Sequence, residues 1–573
     1  MKAGEILING IFNGSRLLEV PFYQRSYVWD EEQWDRFLAD MEFVTKTKKQ
    51  YFLGSIIFKS GKSPNTWDAF SDCKVVIDGQ QRLTTLMIFF KVLCLKKNEN
   101  HLFEKDFRLE DNTIALQHGR NDIEAFDAVM CQDKLEEIPN IIPESQIISA
   151  FNYFLRKMDV DKVNRMIIKQ NIQFVCIDLL DDEDEQQVFD TINSLGVRLT
   201  TSELLKNYFY NKDNVDEYEK SWVSVFEKDN ETRMYWEQEL ETGRLKRSLI
   251  DIFFDAYFQI FLQDKQYNIS AEDKIVYSRV ENLSKSYQDF INRYCGGDKS
   301  VVLSSMAEYA QCFAKNFKPE YCNMGVPAHS GIERINVVMF GLKTTTLIPY
   351  ILFVAKNVSD QDELNKIYGV IESYIMRRLV VHAPTKNYNN LFTSLVLNRA
   401  LDSQTLKDRL NKSSDATTYF PNNEELLNGF NNSKLVNLQT KGIVYLIEAG
   451  IRPARSSTAL LGFNSYSLEH LMPKKWRNNW PACDSSEDEN KRDSKLLTLG
   501  NLAIIPQSLN ASIRDGNWST KKNGHGTNNP GLVLCSAGLS TMHDALQKDE
   551  WNEDEIDLRA QWLYMQAKSL WES

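Results

Sequence analysis

Along the first two hundred positions of the chain, apolar residues recur in some segments at helical spacing and in others as short continuous runs. Trp34, Phe37 and Leu38 follow Asp30 at helical spacing, and the Asp30 carboxylate can cap the start of that helix. Short continuous apolar runs instead predict buried strands. We therefore predict strands at Tyr51–Phe58, Lys74–Ile77 and Ile172–Leu179, and a strongly apolar helix at Gln81–Leu95.

The pattern changes character twice after residue 210. Residues 211–442 show helical periodicity almost throughout, whereas residues 443–573 contain strand-like runs at Tyr466–Leu468 and Leu496–Ile505, separated by an acidic polar loop. A short helix is predicted to follow at Gln507–Ile513. The pattern predicts an α+β, predominantly helical protein with three domains, 1–210, 211–442 and 443–573.

Composition limits the function classes. Of the 573 residues, 42% are hydrophobic and 25% are charged, which are ordinary globular values and exclude a disordered or fibrous protein. The 79 acidic and 67 basic residues give a net charge of −12. Such a chain cannot coat nucleic acid by bulk charge, so a DNA-binding surface has to be a local basic patch.

Cysteine usage and the apolar runs indicate the compartment. The nine cysteines are scattered and contain no C-x-x-C pair, which predicts reduced thiols rather than disulfides or a structural zinc site. The N-terminus has no signal-peptide pattern, and Lys91 interrupts the longest apolar run, Leu83–Leu95. We expect a soluble cytoplasmic protein without a membrane partner.

An acid and a histidine, Glu469 and His470, end the first strand of the C-terminal region, and Asn501 and Asn510 follow in that order. A ββα-metal nuclease site requires, in this order, a strand that carries a histidine, a loop, a second strand and a helix that carries an asparagine. There the histidine deprotonates a water, and a divalent ion stabilises the leaving phosphate oxygen. Glu469 and Asn510 would supply oxygen ligands for Mg²⁺ or Mn²⁺. The alternative is a histidine packed at a strand end, with asparagines in turns.

Basic residues surround this constellation, with tryptophans interleaved, which predicts a patch that contacts DNA phosphates. The alternative for each lysine is an ordinary solvated loop face. The predicted DNA-binding residues are Lys474, Lys475, Arg477, Lys521 and Lys522.

A second constellation joins a predicted strand, a glycine turn and a helix start between Val75 and Leu86. Backbone N–H groups at a helix N-terminus form an anion site, and Arg82 adds a bidentate phosphate donor. Asp78 is suited to hold a metal ion or a ribose hydroxyl. The alternative is a tight turn in which Arg82 pairs with the acidic stretch. Taken alone, these residues leave both nucleotide binding and the structural turn open.

Both constellations resemble one protein family. Glu469-His470-x-x-Pro473, Leu499–Leu502 and Leu509-Asn510 resemble the His-Me finger (HNH-type) nuclease domain of GmrSD-type restriction proteins. The N-terminal domain of that family is similar to the ParB/sulfiredoxin fold and is associated with NTP binding and hydrolysis. Four segments of this chain resemble that domain: Pro21–Trp29, the Asp78-Gly79-Gln80-Gln81-Arg82 motif, Phe189–Gly196 and Leu204–Asn207. The helical middle portion of the family is resembled at Tyr374, Arg377 and Arg378.

The resemblance implies roles for individual residues. His470 would be the general base, with Asn501 and Asn510 completing the catalytic set. Our assignment of Glu469 to the metal rests on its position beside that base. The implied nucleotide-binding residues, for GTP or ATP, are Gln24, Arg25, Asp78, Gly79, Gln80, Gln81, Arg82 and Asn193.

The implied function is an NTP-regulated, modification-sensing endonuclease that restricts foreign or phage double-stranded DNA, similar also to the effectors of phosphorothioate systems. One alternative is an NTP-binding, DNA-sensing regulator with a weak or vestigial nuclease, and another is an RNase of the same fold. The sequence leaves open which modification is sensed and whether it activates or protects. It also leaves open GTP or ATP preference, nicking or double-strand cleavage, and homo-oligomer formation.

Overall fold

A computed structural model describes most of the chain, which divides into two compact units, Met1–Glu219 and Lys220–Ser573. The described residues are 2–21, 24, 26–60, 72–119, 122–139, 145–179, 200–210, 214–242, 245–435, 437–453, 458–507, 516–524, 530–536 and 538–573. Three predicted site residues, Arg25, Asn193 and Asn510, lie outside this set, as does most of the helix predicted at Gln507–Ile513.

The first unit is built on a mixed β-sheet. Its strands are β1 (Lys2–Leu7), β2 (Arg16–Glu19), β3 (Tyr51–Ser60), β4 (Asp72–Asp78), β5 (Leu116–Gln117) and β6 (Ile172–Leu179), in the order β1-β6-β3-β4-β2-β5. Strand β6 pairs antiparallel with β1 and parallel with β3, and β4 pairs antiparallel with β3 and parallel with β2. The described helices are α1 (Ile8–Ile11), α2 (Glu31–Thr47), α3 (Gln80–Lys96), α4 (Asn100–Phe107), α5 (Ile123–Met130), α6 (Gln146–Lys157), α7 (Arg165–Asn171), α8 (Thr201–Phe209) and α9 (Val215–Tyr218).

Helix α3 is the core of this unit. It is buried on every side from Leu83 to Leu95, including Lys91, as its strongly apolar pattern predicts. The Phe89 ring lies 5.6 Å from that of Phe37 on α2 and 5.8 Å from that of Phe154 on α6, in edge-to-face contacts. The predicted capping box at the start of α2 is confirmed, and strands β3, β4 and β6 lie where the sequence predicts them.

The second unit is mostly helical. Its strands are β7 (Glu239–Thr242), β8 (Leu245–Ser248), β9 (Tyr466–His470) and β10 (Leu502–Pro506). The described helices up to residue 411 are α10 (Ser224–Phe226), α11 (Asn230–Glu237), α12 (Leu249–Phe261), α13 (Ala271–Tyr277), α14 (Leu283–Tyr294), α15 (Ser300–Asn316), α16 (Ile332–Asn336), α17 (Ile348–Asn357), α18 (Gln361–Val380), α19 (Tyr388–Leu397) and α20 (Ser403–Asn411). They are followed by α21 (Asn423–Asn432), α22 (Asn437–Ile451), α23 (Ser486–Lys495), α24 (Trp518–Asn523), α25 (Leu532–Ser536), α26 (His543–Gln547) and α27 (Glu553–Leu570).

A buried polar network ties the C-terminus into the helical region. Arg334 on α16 donates through Nε to Glu372 Oε2 on α18 at 2.8 Å, and each side chain is 1% exposed. Trp571, just after α27, donates to the same carboxylate at 2.9 Å, and its carbonyl accepts from Arg377 at 2.6 Å. The boundary predicted at residue 442 falls inside α22, so residues on both sides of it share one compact unit.

Two predictions in the C-terminal region need correction. The acidic stretch predicted as a loop forms helix α23, because Ser485 caps it through the Asp488 N–H and the acidic residues of its first turn complement the helix dipole. The strand predicted to begin at Leu496 begins at Leu502 instead, after a 3₁₀ turn at Leu499–Asn501. Within the described residues, no helix combines the length and apolarity needed to cross a membrane.

Removing the buried carboxylate should destabilise the second unit. Glu372→Gln leaves the Arg334 guanidinium buried without its counter-charge, a change that typically costs about 3–5 kcal/mol of unfolding free energy. We expect a clear drop in the midpoint of denaturant unfolding. The matched control, Glu241→Gln, breaks the exposed ion pair with Lys343 and should leave the midpoint almost unchanged. Equal midpoints for both variants would contradict a stabilising role of this network.

Candidate functional site

Strands β9 and β10 form the antiparallel pair that carries His470. The register places Leu502 opposite His470 and Pro506 opposite Tyr466. The Leu471 N–H donates to the Asn501 carbonyl at 2.9 Å, which continues the pairing one residue beyond the end of β9. The histidine therefore lies where the strand passes into a loop, as the sequence predicts.

The His470 side chain is a neutral imidazole with one ring nitrogen that is unpartnered among the described residues. Its Nε2 atom is buried and has no hydrogen-bond partner among the described residues. Burial, followed by the positive charges of Lys474 and Lys521, lowers the pKa of His470 to about 4. The imidazole is therefore neutral at physiological pH, and a neutral imidazole can accept a proton from water.

Asn501 holds the loop that follows this histidine. Its Oδ1 accepts from the Met472 N–H at 2.7 Å and from Trp551 Nε1 at 3.1 Å. Its Nδ2 donates to the carbonyls of Met472 at 2.9 Å and Leu496 at 3.0 Å. A carboxamide offers two donors and two acceptor positions, so the side chain is saturated. The structure thus shows Asn501 holding this loop, and the catalytic role that the family resemblance implied stays a prediction.

Close packing against helix α27 fixes the turn before β10. A Cβ atom added at Gly500 would meet the Ile556 carbonyl oxygen of α27 at 2.0 Å, so this position tolerates no side chain. From the same helix, Arg559 Nη1 donates to the carbonyls of Gly500 at 2.8 Å and Leu502 at 2.9 Å. Helix α27 therefore holds the residues on both sides of Asn501.

Glu469, which we expected to bind the metal, takes part in a buried ion pair. Consecutive residues of a strand point to opposite faces, so Glu469 and His470 diverge. The Glu469 carboxylate accepts from Lys521 Nζ, which also donates to the His470 carbonyl at 2.6 Å. Lys521 is 0% exposed. This geometry does not fit Glu469 to a metal beside His470, and burial removes Lys521 from the predicted DNA-binding surface.

The remaining predicted DNA-binding residues differ in whether their side chains are available to contact phosphate. Arg477 is exposed but donates to Glu489 and Asp493, both at 2.9 Å. Lys522 donates to a backbone carbonyl, that of Lys548, at 2.9 Å. Lys474 and Lys475 are exposed and have no ion-pair partner among the residues described. The interleaved tryptophans are buried and belong to the core: Trp476, Trp480 and Trp518.

The described part of the chain contains no ready-made metal cluster. Across it, no three histidine, cysteine, aspartate or glutamate side chains are placed together to hold an ion. Of the two predicted ligands, Glu469 is engaged by Lys521 and Asn510 lies outside the described residues.

In the first unit, the predicted nucleotide motif forms a tight turn between β4 and α3. Gly79 caps α3 with φ +101°, in the region that favours glycine, and an added Cβ would meet Ile56 Cγ2 at 2.5 Å. Arg82 Nη2 donates to Asp78 at 3.0 Å. Its guanidinium also lies against Gly54 of β3, where an added Cβ would meet Nη1 at 2.2 Å. Two glycines therefore make room for the turn and for the arginine.

The glutamines of this motif contact backbone. Gln81 accepts from the Val28 N–H at 2.9 Å and donates to the Ser26 carbonyl at 3.2 Å. Gln24 donates to the Ile77 carbonyl at 3.2 Å, and Gln80 is 7% exposed. Gln24 and Gln81 thus connect Gln24, Ser26 and Val28 to the turn, whose central residues are Asp78, Gly79 and Arg82.

The sequence reasoning missed Arg559, which holds the turn of the nuclease site. Its signal is a charged residue on the apolar face of α27, beside the buried Ile556 and Ala560. Burial lowers the pKa of Arg559 to about 10. A cation on a buried apolar face indicates that nearby backbone carbonyl oxygens need hydrogen-bond donors.

The ion pair behind β9 should matter for stability. Lys521→Met leaves the buried Glu469 carboxylate without this cation and should cost about 3–5 kcal/mol of unfolding free energy. Adding Glu469→Gln to Lys521→Met should recover part of the lost unfolding free energy, because the pair then leaves no uncompensated charge. Denaturant unfolding of the wild type, both single variants and the double variant measures the coupling. Strictly additive losses would contradict the pairing.

Comparison with protein families gives two matches. The N-terminal domain of the GmrSD restriction endonucleases matches residues 7–210, and their C-terminal domain matches residues 420–565. No curated protein matches the chain. The first match contains the turn of Asp78, Gly79 and Arg82, and the second contains the β9–β10 pair and the helix that holds it. The chain therefore belongs to the GmrSD restriction endonuclease family and contains both of its domains.

Proposed function

We propose that the chain cuts modified or phage DNA at His470 and that a nucleoside triphosphate held by the first unit regulates the cutting. Membership of the family makes the chain a restriction endonuclease, whose substrate is DNA. The observation that carries the proposal is the neutral His470 imidazole, whose Nε2 atom is buried and unpartnered among the described residues.

The proposed chemistry is hydrolysis of a phosphodiester. His470 accepts a proton from a water molecule, whose oxygen forms a bond to phosphorus. The bond between phosphorus and one sugar oxygen breaks, which leaves one phosphate end and one hydroxyl end. Lys474 and Lys475, exposed on the loop after His470, are suited to contact the DNA backbone.

Dependence on Mg²⁺ or Mn²⁺ belongs to the proposal through the family resemblance. Such an ion, when bound, stabilises negative charge on the leaving oxygen. Glu469 does not fit as its ligand, because Lys521 engages the carboxylate on the other face of β9. We therefore assign a ligand role to Asn510, as the family resemblance implies.

The nucleotide part of the proposal rests on the turn before α3. Helix α3 has no side-chain cap at its start, and the first N–H groups of a helix attract phosphate. Arg82 is about one quarter exposed and reaches this turn with its guanidinium paired to Asp78. We propose that GTP or ATP places its phosphates here and that its hydrolysis changes the state of the nuclease.

Loss of the base should abolish cleavage. His470→Ala should lower the rate of plasmid nicking with Mg²⁺ by about 10²–10⁴-fold, because only the proton acceptor is removed. The control is His543→Ala, which removes an exposed histidine of the same unit and should cut at the wild-type rate. Nicking by His470→Ala at the wild-type rate would refute the assignment. Parallel RNA substrates test the RNase alternative, which faster cleavage of RNA would favour.

The metal requirement should respond to Asn510. Asn510→Ala removes a neutral oxygen ligand from a site with few protein ligands, so half-maximal nicking should need more Mg²⁺. The measurement is nicking rate against Mg²⁺ concentration for the wild type and the variant. Superimposable titrations would remove Asn510 from the ligand set.

The turn of the first unit should control the response to nucleotide. Arg82→Ala removes charge-assisted hydrogen bonds of about 1.5–3 kcal/mol each and should weaken NTP turnover. It should also change how nicking responds to GTP or ATP, while basal nicking persists. Arg36→Ala, an exposed arginine of the same unit, is the control. Matched modified and unmodified phage DNA serve as substrates. Unchanged turnover together with an unchanged response would reduce the motif to a structural turn.

A further inference from the structure

The second unit contains a cavity of about 820 Å³ that the proposed function does not use. The end of α12 and the residues after it form one side, and α15 and α17 form another. The end of α19 and residue Arg409 of α20 complete the walls. None of the residues that line it belongs to the His470 site or to the turn of the first unit.

The charge of this cavity is unusual for so acidic a chain. Arg399, Arg409 and Lys265 line it, and within the described residues none of the three has an ion-pair partner. Asp264 is the one acidic residue in the described lining, and its carboxylate already accepts from the backbone and side chain of Gln266, both at 3.0 Å. Clustered cations without counter-charges favour an anionic ligand.

The backbone supports a specific placement of Arg399. This residue follows α19 with φ +48°, in the left-handed region where glycine or asparagine is the usual choice. Its guanidinium lies over the Phe353 ring, 5.6 Å from the ring centroid, and so is directed along the wall of the cavity. Arginine forms bidentate hydrogen bonds with phosphate, so the anion indicated is a phosphate group.

Aromatic side chains line the same space. Phe261 and Tyr267 stack with ring centroids 6.1 Å apart at an interplanar angle of 22°. Tyr309 lies on α15, and Phe353 lies beneath Arg399. Flat aromatic walls suit a planar ring, and the volume falls in the range of about 300–1,000 Å³ that is usual for small-molecule sites. A nucleotide carries both a phosphate and a planar ring, joined through a sugar.

We propose that this cavity binds one nucleotide unit, whose phosphate is contacted by Arg399 and Arg409 and whose base packs on the aromatic walls. The unit has two sources, a free nucleotide or a nucleotide turned out of duplex DNA. The second source rests on the DNA substrate proposed above, and the first does not.

The test uses the full chain without divalent ion, so that binding is measured apart from cutting. The double variant Arg399→Ala/Arg409→Ala removes both cations, and Ser304→Trp fills the cavity while keeping them. Arg279→Ala removes an exposed arginine that does not line the cavity, as the control. Thermal unfolding shows that each variant is folded before binding is compared.

Two arms separate the sources. In the first, calorimetric titration with each deoxynucleoside monophosphate should show binding that weakens about tenfold or more in both cavity variants and is unchanged in Arg279→Ala. In the second, a labelled duplex with one mismatched pair is compared with a fully paired duplex. A mismatch lowers the energy needed to turn a base out, so the wild type should prefer the mismatched duplex and the cavity variants should lose that preference.

Either loss supports a nucleotide site, and the arm in which it occurs identifies the source. The proposal is overturned when the cavity variants match the wild type in both arms. It is also overturned when inorganic phosphate binds as tightly as the monophosphates, since the ring then contributes nothing. Plasmid nicking with Mg²⁺ is measured separately, so a chain that binds nucleotide here but cuts no DNA would contradict only the proposed function.

Discussion

The nuclease site depends on the saturated carboxamide of Asn501. Its four hydrogen bonds join the loop after His470, the segment before β10 and the Trp551 indole, all in a buried environment. A buried amide that loses a partner incurs the full desolvation penalty of the unpaired group, so the loss of any one of these bonds destabilises the site. The backbone that positions His470 is thereby fixed without any bond to the imidazole itself, whose Nε2 atom is buried and has no hydrogen-bond partner among the described residues.

The sequence predicts much of this site because its signals are local. The order of strand, His470 and Asn501 is visible along the chain, and the first unit shows its glycine turn and apolar α3 equally well. Contacts across long sequence separations are not visible. Arg559 reaches a turn about sixty residues earlier, and Lys521 reaches Glu469 from 52 residues away. The basic residues predicted to bind DNA therefore looked alike in the sequence, although Lys521 is buried and Lys475 is exposed.

The two candidate sites use arginine and glycine in different ways. At the turn before α3, Gly54 and Gly79 clear space so that Arg82 can lie close to the backbone. At the nuclease site, Gly500 lets α27 approach the turn, and Arg559 then satisfies the carbonyls exposed there. A glycine that admits close packing is thus paired with a cation in both places. The first arginine is partly exposed and suited to a ligand, whereas the second is buried and structural.

We propose that Asn501 positions the His470 loop and does not touch the reacting groups. Asn501→Asp keeps the shape of the side chain but turns two donor bonds into repulsive contacts with the carbonyls of Met472 and Leu496. Plasmid nicking and thermal unfolding of this variant are the direct test, with Asn390→Asp as an exposed control. We expect Asn501→Asp to lose nicking and to unfold at a lower temperature than the wild type. Lost nicking with an unchanged unfolding temperature would contradict it and make Asn501 a catalytic residue.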